Sequence, residues 1–144
     1  MFWIGAPVAI ALLYFLHRWI GRTFVLITVK GESMKPALLP GDRVLVRRGA
    51  RGIRRGCIVV VARPNPVTGW RGAPPVSPDV GASDWYIKRL AAMAGDLMPP
   101  PMSGRSVVPA NHVVVFGDNL PSADSRQFGA CPIDQVLGVV VHEF

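Results

Sequence analysis

The chain has 144 residues, half of them apolar, with 15 Gly and 14 Pro, which suits short strands joined by turns in one domain plus an attached element and argues against a helical bundle. Sixteen Lys+Arg against nine Asp+Glu leave a net charge of +7, yet no aromatic residues interleave with the arginines, so a nucleic-acid partner is not expected. Two cysteines, Cys57 and Cys131, with no CxxC and no ligand-spaced histidine, argue against a metal site; a disulfide between them and two buried free thiols remain alternatives.

Residues Phe2 to Leu16 carry no charge, and Trp19-Ile20-Gly21 extends the run past His17 and Arg18. A membrane span needs about 20 apolar residues, so Phe2 to about Ile20 predicts one transmembrane helix, with Trp3 and Trp19 near the interfaces. The anchor would cover residues 1–22 and a second domain residues 23–144. Arg18 and Arg22 would hold its C-terminal side in the cytoplasm by the positive-inside rule, opposite to the side that the functional reading below requires.

Phe24 to Val29 reads as a strand of β-branched and aromatic residues, and Arg43-Val44-Leu45-Val46 as a second. Between them, Gly31-Glu32-Ser33-Met34-Lys35-Pro36 breaks the chain. Arg47 to Gly56, with five arginines, predicts an exposed loop, whose functional reading is contact with anionic lipid headgroups. Cys57 to Ala62 predicts a strand buried on both faces. Arg63 to Asp84 is a Pro- and Gly-rich surface excursion. Trp85 to Leu90 resumes a strand that turns before Asp96. Val107-Val108-Pro109 and Val113 to Phe116 predict a strand pair, Gly117 to Arg126 a polar loop, and Val136 to Val141 a last strand.

Ser33 sits where a strand breaks, so backbone N–H groups near it are free of a sheet ladder and can face a reacting oxygen. It becomes a nucleophile only if a base removes its proton. A triad through His112 and Asp118 is one arrangement, although neither His112 nor His142 carries a local signature. Of the three lysines, Lys30 and Lys35 flank Ser33 and look solvent-facing. Lys88 lies mid-strand among Trp85, Tyr86, Ile87 and Leu90, where desolvation would disfavour its ammonium form.

Three blocks in order carry a family resemblance. Ser33-Met34-Lys35-Pro36 with Leu38 and Gly41-Asp42 resembles the nucleophile motif of the type I signal peptidases. Tyr86-Ile87-Lys88-Arg89 with Ala94-Gly95-Asp96 resembles their lysine motif. Gly117-Asp118-Asn119, Ser122-Ala123-Asp124-Ser125-Arg126 and Gly129 resemble their last box. The likeness covers roughly Val25 to Val140.

That resemblance implies a mainly β protein, a signal-peptidase-like coiled sheet or barrel behind one N-terminal transmembrane helix. It implies a serine endopeptidase working without cofactor or metal, in which Ser33 is the nucleophile and Lys88 the general base. Ser122 would orient the Lys88 amine, Asp124 and Arg126 would form a supporting ion pair, and Met34 would pack beside the substrate groove. The Ser33 N–H would donate to the oxyanion. Partners would be precursor proteins bearing a signal or leader peptide, and membrane lipid. The place would be the cell membrane, single-pass, with the catalytic domain on the extracytoplasmic side.

Some features depart from the family pattern. Gly31 stands where some members carry a hydroxyl residue, Leu120 where an arginine is usual, and Glu32 directly before the nucleophile is unusual; it is expected to face solvent. The short segment between Asp96 and His112 leaves no room for the accessory cap domain of larger members. Small forms of this kind resemble proteases that mature one precursor, such as nickel superoxide dismutase. Two rivals belong to other classes: a self-cleaving repressor-type protease, which no helix-turn-helix pattern supports, and a non-catalytic, membrane-tethered module whose arginine loop binds lipid.

Overall fold

A computed structural model describes residues 3–76, 85–102 and 105–144. Phe2, where the expected helix begins, and the 77–84 part of the Pro- and Gly-rich excursion lie outside the described residues. The described residues form a helix α1 (Gly5–Thr23), strands β1 (Phe24–Thr28), β2 (Arg43–Arg48), β3 (Ile58–Ala62), β4 (Trp85–Ala92) and β5 (His112–Phe116), a short helix α2 (Ser125–Phe128), and strands β6 (Cys131–Pro132) and β7 (Val136–Glu143).

The strands make one antiparallel sheet in the order β1-β2-β7-β3-β4-β5-β6. Antiparallel neighbours along the chain follow from short connections, but β7 inserts between β2 and β3 and joins the two halves. β3 shows why the sheet is covered on both sides. Successive side chains of a strand point to opposite faces. Ile58 and Val60 enter one apolar cluster, with Ile27, Val46 and Ile87, while Val59 and Val61 enter another, with Leu90, Val113 and Val139. The expected two-sided burial of this strand is therefore observed.

The sheet curls on itself. β1 and β4 are separated by β2, β7 and β3 in the hydrogen-bonding order, yet Ile27 of β1 and Ile87 of β4 share one core cluster. Register shifts at Leu45/Val46, Val60/Val61 and Leu90/Ala92 interrupt the ladders, and such bulges bend and twist the strands that carry them. The curl brings the end of β1 towards the start of β4, which is where the cleft described below opens.

The expected membrane span requires correction. α1 forms and none of its residues is buried, but no helix of the described residues is long and apolar enough to cross a membrane. The physical reason is where the charges fall. His17, Arg18 and Arg22 lie inside the helix instead of beyond its end. The uncharged stretch Gly5 to Leu16 covers only about 18 Å at 1.5 Å per residue, against a hydrocarbon core of about 30 Å.

Smaller expectations also change. Arg47 and Arg48 belong to β2, so the exposed arginine loop starts later. Among the described residues Val107 bridges to Leu97, and β5 pairs with β4 and β6 instead of with Val107 to Pro109. α2 interrupts the polar loop. Cys57 and Cys131 are free thiols.

Candidate active site

The chain leaves the sheet after β1 and returns at β2. Val29 donates its N–H to the Asp42 carbonyl and accepts from the Gly41 N–H, which pins the two ends of the intervening loop together. Met34 and Leu38, 1% and 0% exposed, anchor that loop in the core. Gly31 takes a φ of 75°, a left-handed backbone that a side chain with a Cβ seldom adopts, so the loop turns where glycine is present. Glu32 faces solvent as expected, and its carboxylate accepts a 2.7 Å hydrogen bond from Lys35 Nζ, which holds its pKa below the ordinary value. Ser33 is thus presented outward from a loop held at both ends.

A second loop clamps the first. Asn119 donates its backbone N–H to the Ser33 carbonyl at 2.8 Å and its side-chain amide to the Glu32 carbonyl at 3.1 Å. Gly117, two residues earlier, has no room for a side chain: a Cβ there would collide with Ser122 Oγ and lie 2.8 Å from the Ser33 carbonyl. The loop after β5 therefore brings Ser122 and the Ser33 backbone to the same point.

Lys88 completes this neighbourhood from β4. Its side chain is 3% exposed, and Nζ donates to Ser122 Oγ at 2.7 Å. Nζ also lies 5.0 Å from the centroid of the Tyr86 ring, two residues back along the strand. Burial lowers its pKa to about 8; the Asp124 charge pulls it up and the Arg126 charge pushes it down, but desolvation is the larger effect. No carboxylate lies within ion-pair distance of Nζ among the described residues. No hydrogen bond joins Nζ to the Ser33 hydroxyl among them either; the two side chains line one cleft of about 400 Å³, together with Ser122, Ile27, Trp85 and Tyr86.

Asp124, 0% exposed, organises the loop behind the cleft. Burial alone would raise its carboxyl pKa, but hydrogen bonds from the Arg126 guanidinium and from the backbone N–H groups of Gly117 and Arg126 outweigh this and hold it below the ordinary carboxylate value. Arg126 Nη2 donates to Asp124 Oδ2 at 2.6 Å, and the Gly117 N–H donates to the same oxygen at 2.7 Å. Asp124 also caps α2 by accepting from the Arg126 N–H. Among the described residues, Asp124 thereby accepts its hydrogen bonds from an arginine and two amides and none from Lys88.

The cleft has one further property. β4 pairs with β5 only from Arg89 onward, so the edge of Tyr86 to Lys88 opposite β3 has no strand partner among the described residues. An extended peptide can align along such an edge.

Ser33, Lys88 and Ser122 meet at this cleft, and Asp124 and Arg126 lie behind it. Met34 does not line it; it is a core residue beneath the Ser33 loop. The triad through His112 and Asp118 is not formed. His112 Nδ1 sits 2.8 Å from the Ala110 carbonyl, and Asp118 accepts two 2.8 Å hydrogen bonds from Arg89. Trp85 and Tyr86, expected from the sequence only as apolar surroundings of Lys88, are walls of the cleft, as are Ile27 and Arg63, which the sequence did not single out. Asn119 was named from the sequence without its clamping contacts.

A curled, mainly β scaffold thus carries a cleft furnished with a hydroxyl, a buried amine and an open strand edge. The family described as signal peptidase, peptidase S26, matches the chain over residues 2–99 and 97–144, and the chain belongs to that family. It is 29% identical to signal peptidase IB of Staphylococcus aureus (strain COL) over 98% of this chain and 86% of that protein. It is 32% identical to mitochondrial inner membrane protease subunit 2 of Schizosaccharomyces pombe, over 79% of this chain and 61% of that protein. Subunit 1 of the same protease from Mus musculus is 32% identical over 78% of this chain and 64% of its own length. The chain thus spans less than two thirds of the two mitochondrial relatives.

Proposed function

We propose that this protein is a serine endopeptidase that cleaves signal or leader peptides from precursor proteins through a Ser33–Lys88 dyad. The observation that carries the reading is a lysine 3% exposed, with its pKa lowered to about 8, whose hydrogen bond goes to a serine hydroxyl instead of a carboxylate. A structural lysine gains from a carboxylate partner; a general base is better without one.

In this mechanism the precursor lies extended along the Tyr86 to Lys88 edge. Neutral Lys88 Nζ accepts the Ser33 hydroxyl proton as Oγ attacks the scissile carbonyl. The Ser33 N–H donates to the oxyanion that forms. The carbon–nitrogen bond then breaks, and the leaving amine takes the proton from Lys88. Neutral Lys88 next accepts a proton from water, which attacks the Ser33 ester, and returns it to Ser33 Oγ as the acid product departs. Ser122 accepts from Nζ and keeps it aimed; Asp124 and Arg126 hold the loop that carries Ser122. Met34 backs the Ser33 loop from the core.

The site of action is a membrane, on the extracytoplasmic side where exported precursors emerge. Support for the membrane comes from the names of the two mitochondrial inner membrane protease relatives and from α1, whose apolar side chains, among them Ile10, Leu13 and Phe15, are exposed. A dedicated maturation protease for one precursor uses the same chemistry.

Ser33→Ala is expected to abolish cleavage of a signal-peptide-bearing precursor, and Lys88→Ala to lower kcat/KM by about 10²- to 10⁴-fold, the usual worth of a positioned base. Cleavage by Ser33→Ala, or an undiminished kcat/KM in Lys88→Ala, ends the dyad assignment.

A further inference from the structure

A second cavity, of about 440 Å³, opens beside the cleft and shares two of its walls, Arg63 and Trp85. Its other walls come from Ala62, at the end of β3, and from the proline-rich stretch that follows, including Pro66, Ala73, Pro74 and Pro75. We propose that this cavity is a distal subsite that holds an apolar side chain of the extended precursor, several residues away from the scissile bond. The inference rests on the peptidase reading above and deepens it.

Spacing sets the distance. Trp85 lies three residues before Lys88 on β4, about 10 Å at roughly 3.3 Å per residue. A peptide aligned with the same edge advances at the same pitch. Its third residue from the scissile bond falls over Trp85, and about the fourth to sixth fall over the second cavity.

The walls set the chemistry. Proline has no N–H, so Pro64, Pro66, Pro74 and Pro75 cannot pair with a peptide backbone as a strand edge does. What they offer is apolar surface with little freedom to lose on binding. The wall is also held in place. Gln135, 2% exposed, donates Nε2 to the Pro74 carbonyl at 2.8 Å, and the Val76 N–H donates to the Asp134 carbonyl at 3.0 Å. Trp70 Nε1 donates to the Ala62 carbonyl at 2.8 Å. A mostly apolar cavity that shares Arg63 and Trp85 with the peptide cleft fits a peptide side chain such as leucine; among the described residues that line it, Arg63 alone is charged.

The test uses the full chain and quenched fluorescent peptides that share one cleavage sequence. These are lengthened one residue at a time with leucine, on either side. On one side, kcat/KM should rise by about tenfold once the extension reaches the fourth to sixth residue, mostly through KM, as one apolar side chain in a pocket typically gives. Ala73→Trp, which fills the cavity, should abolish this gain, and Ala73→Ser should keep it. Because the long-to-short ratio is read within each variant, partial misfolding cancels. A flat length dependence on both sides, or a gain that survives Ala73→Trp, overturns the subsite while leaving the peptidase reading intact. No cleavage of any peptide overturns both.

Discussion

At the scale of the single residue, Lys88 carries the pH dependence expected from the proposed mechanism. Its pKa is lowered to about 8 because burial disfavours the ammonium. The proposed mechanism needs the neutral amine, so kcat/KM should rise with pH and level off above about 8. At pH 7 it should stand near a tenth of the plateau, since about a tenth of a base with that pKa is then neutral. A pH–rate profile on a short peptide checks this, and a flat profile from pH 6 to 9 would remove Lys88 from the role of base. That Ser33, Lys88 and Ser122 share one cleft could be expected from the sequence because each lies in a block that resembles a motif of one family, in order. Trp85 and Arg63 were not legible as its walls, because a cleft wall is set by which strands meet, and no local pattern encodes that meeting.

At the scale of the element, α2 and α1 pose opposite questions. α2 has four residues and is held by its cap: Asp124 accepts from the Arg126 N–H while also pairing with the guanidinium. Asp124→Asn should cost about 1–3 kcal/mol, because it takes away the charge-assisted hydrogen bond from Arg126 and leaves the amides that donate to Asp124 one acceptor short. The sign of the pH effect follows from the lowered Asp124 pKa. The pair's stabilisation is present above the ordinary aspartate value of about 4 and is lost as pH falls through the lower, folded value. Chemical denaturation at pH 7 and at pH 3 should therefore show a smaller wild-type advantage in acid. So short a helix, inside a polar loop, carries no apolar periodicity and could not be read from sequence, whereas the β-branched runs of β1, β3 and β5 could. α1 was legible as a helix but not as a surface element, because whether an apolar run spans depends on where His17 and Arg18 fall within it. With no buried residue, α1 contributes little to the packed core. Deleting residues 1–22 should leave the melting temperature within about 2 °C, inside the range of surface changes, while abolishing co-flotation with liposomes. A drop of ten degrees would show that α1 belongs to the core.

The whole molecule is one curled sheet whose halves are joined by β7, between β2 and β3. That placement was not legible, since the strand's apolar run looks the same at an edge or at the centre. It makes the fold depend on contacts distant in sequence, such as Val44 with Glu143 and Val59 with Val139. A chain ending before Val136 should lack cooperative unfolding and be digested rapidly by added protease. A truncated form that melts as sharply as the full chain would contradict the central role given to β7.

The clamp of Asn119 on the Glu32 and Ser33 carbonyls spans most of the polypeptide. During synthesis on a ribosome, the segment that bears Ser33 emerges long before Asn119 and Ser122 exist. In the proposed mechanism the Ser33 hydroxyl would thus lack its clamp and its partners until most of the chain is made. Competence to cut would then arrive late, as a by-product of chain order.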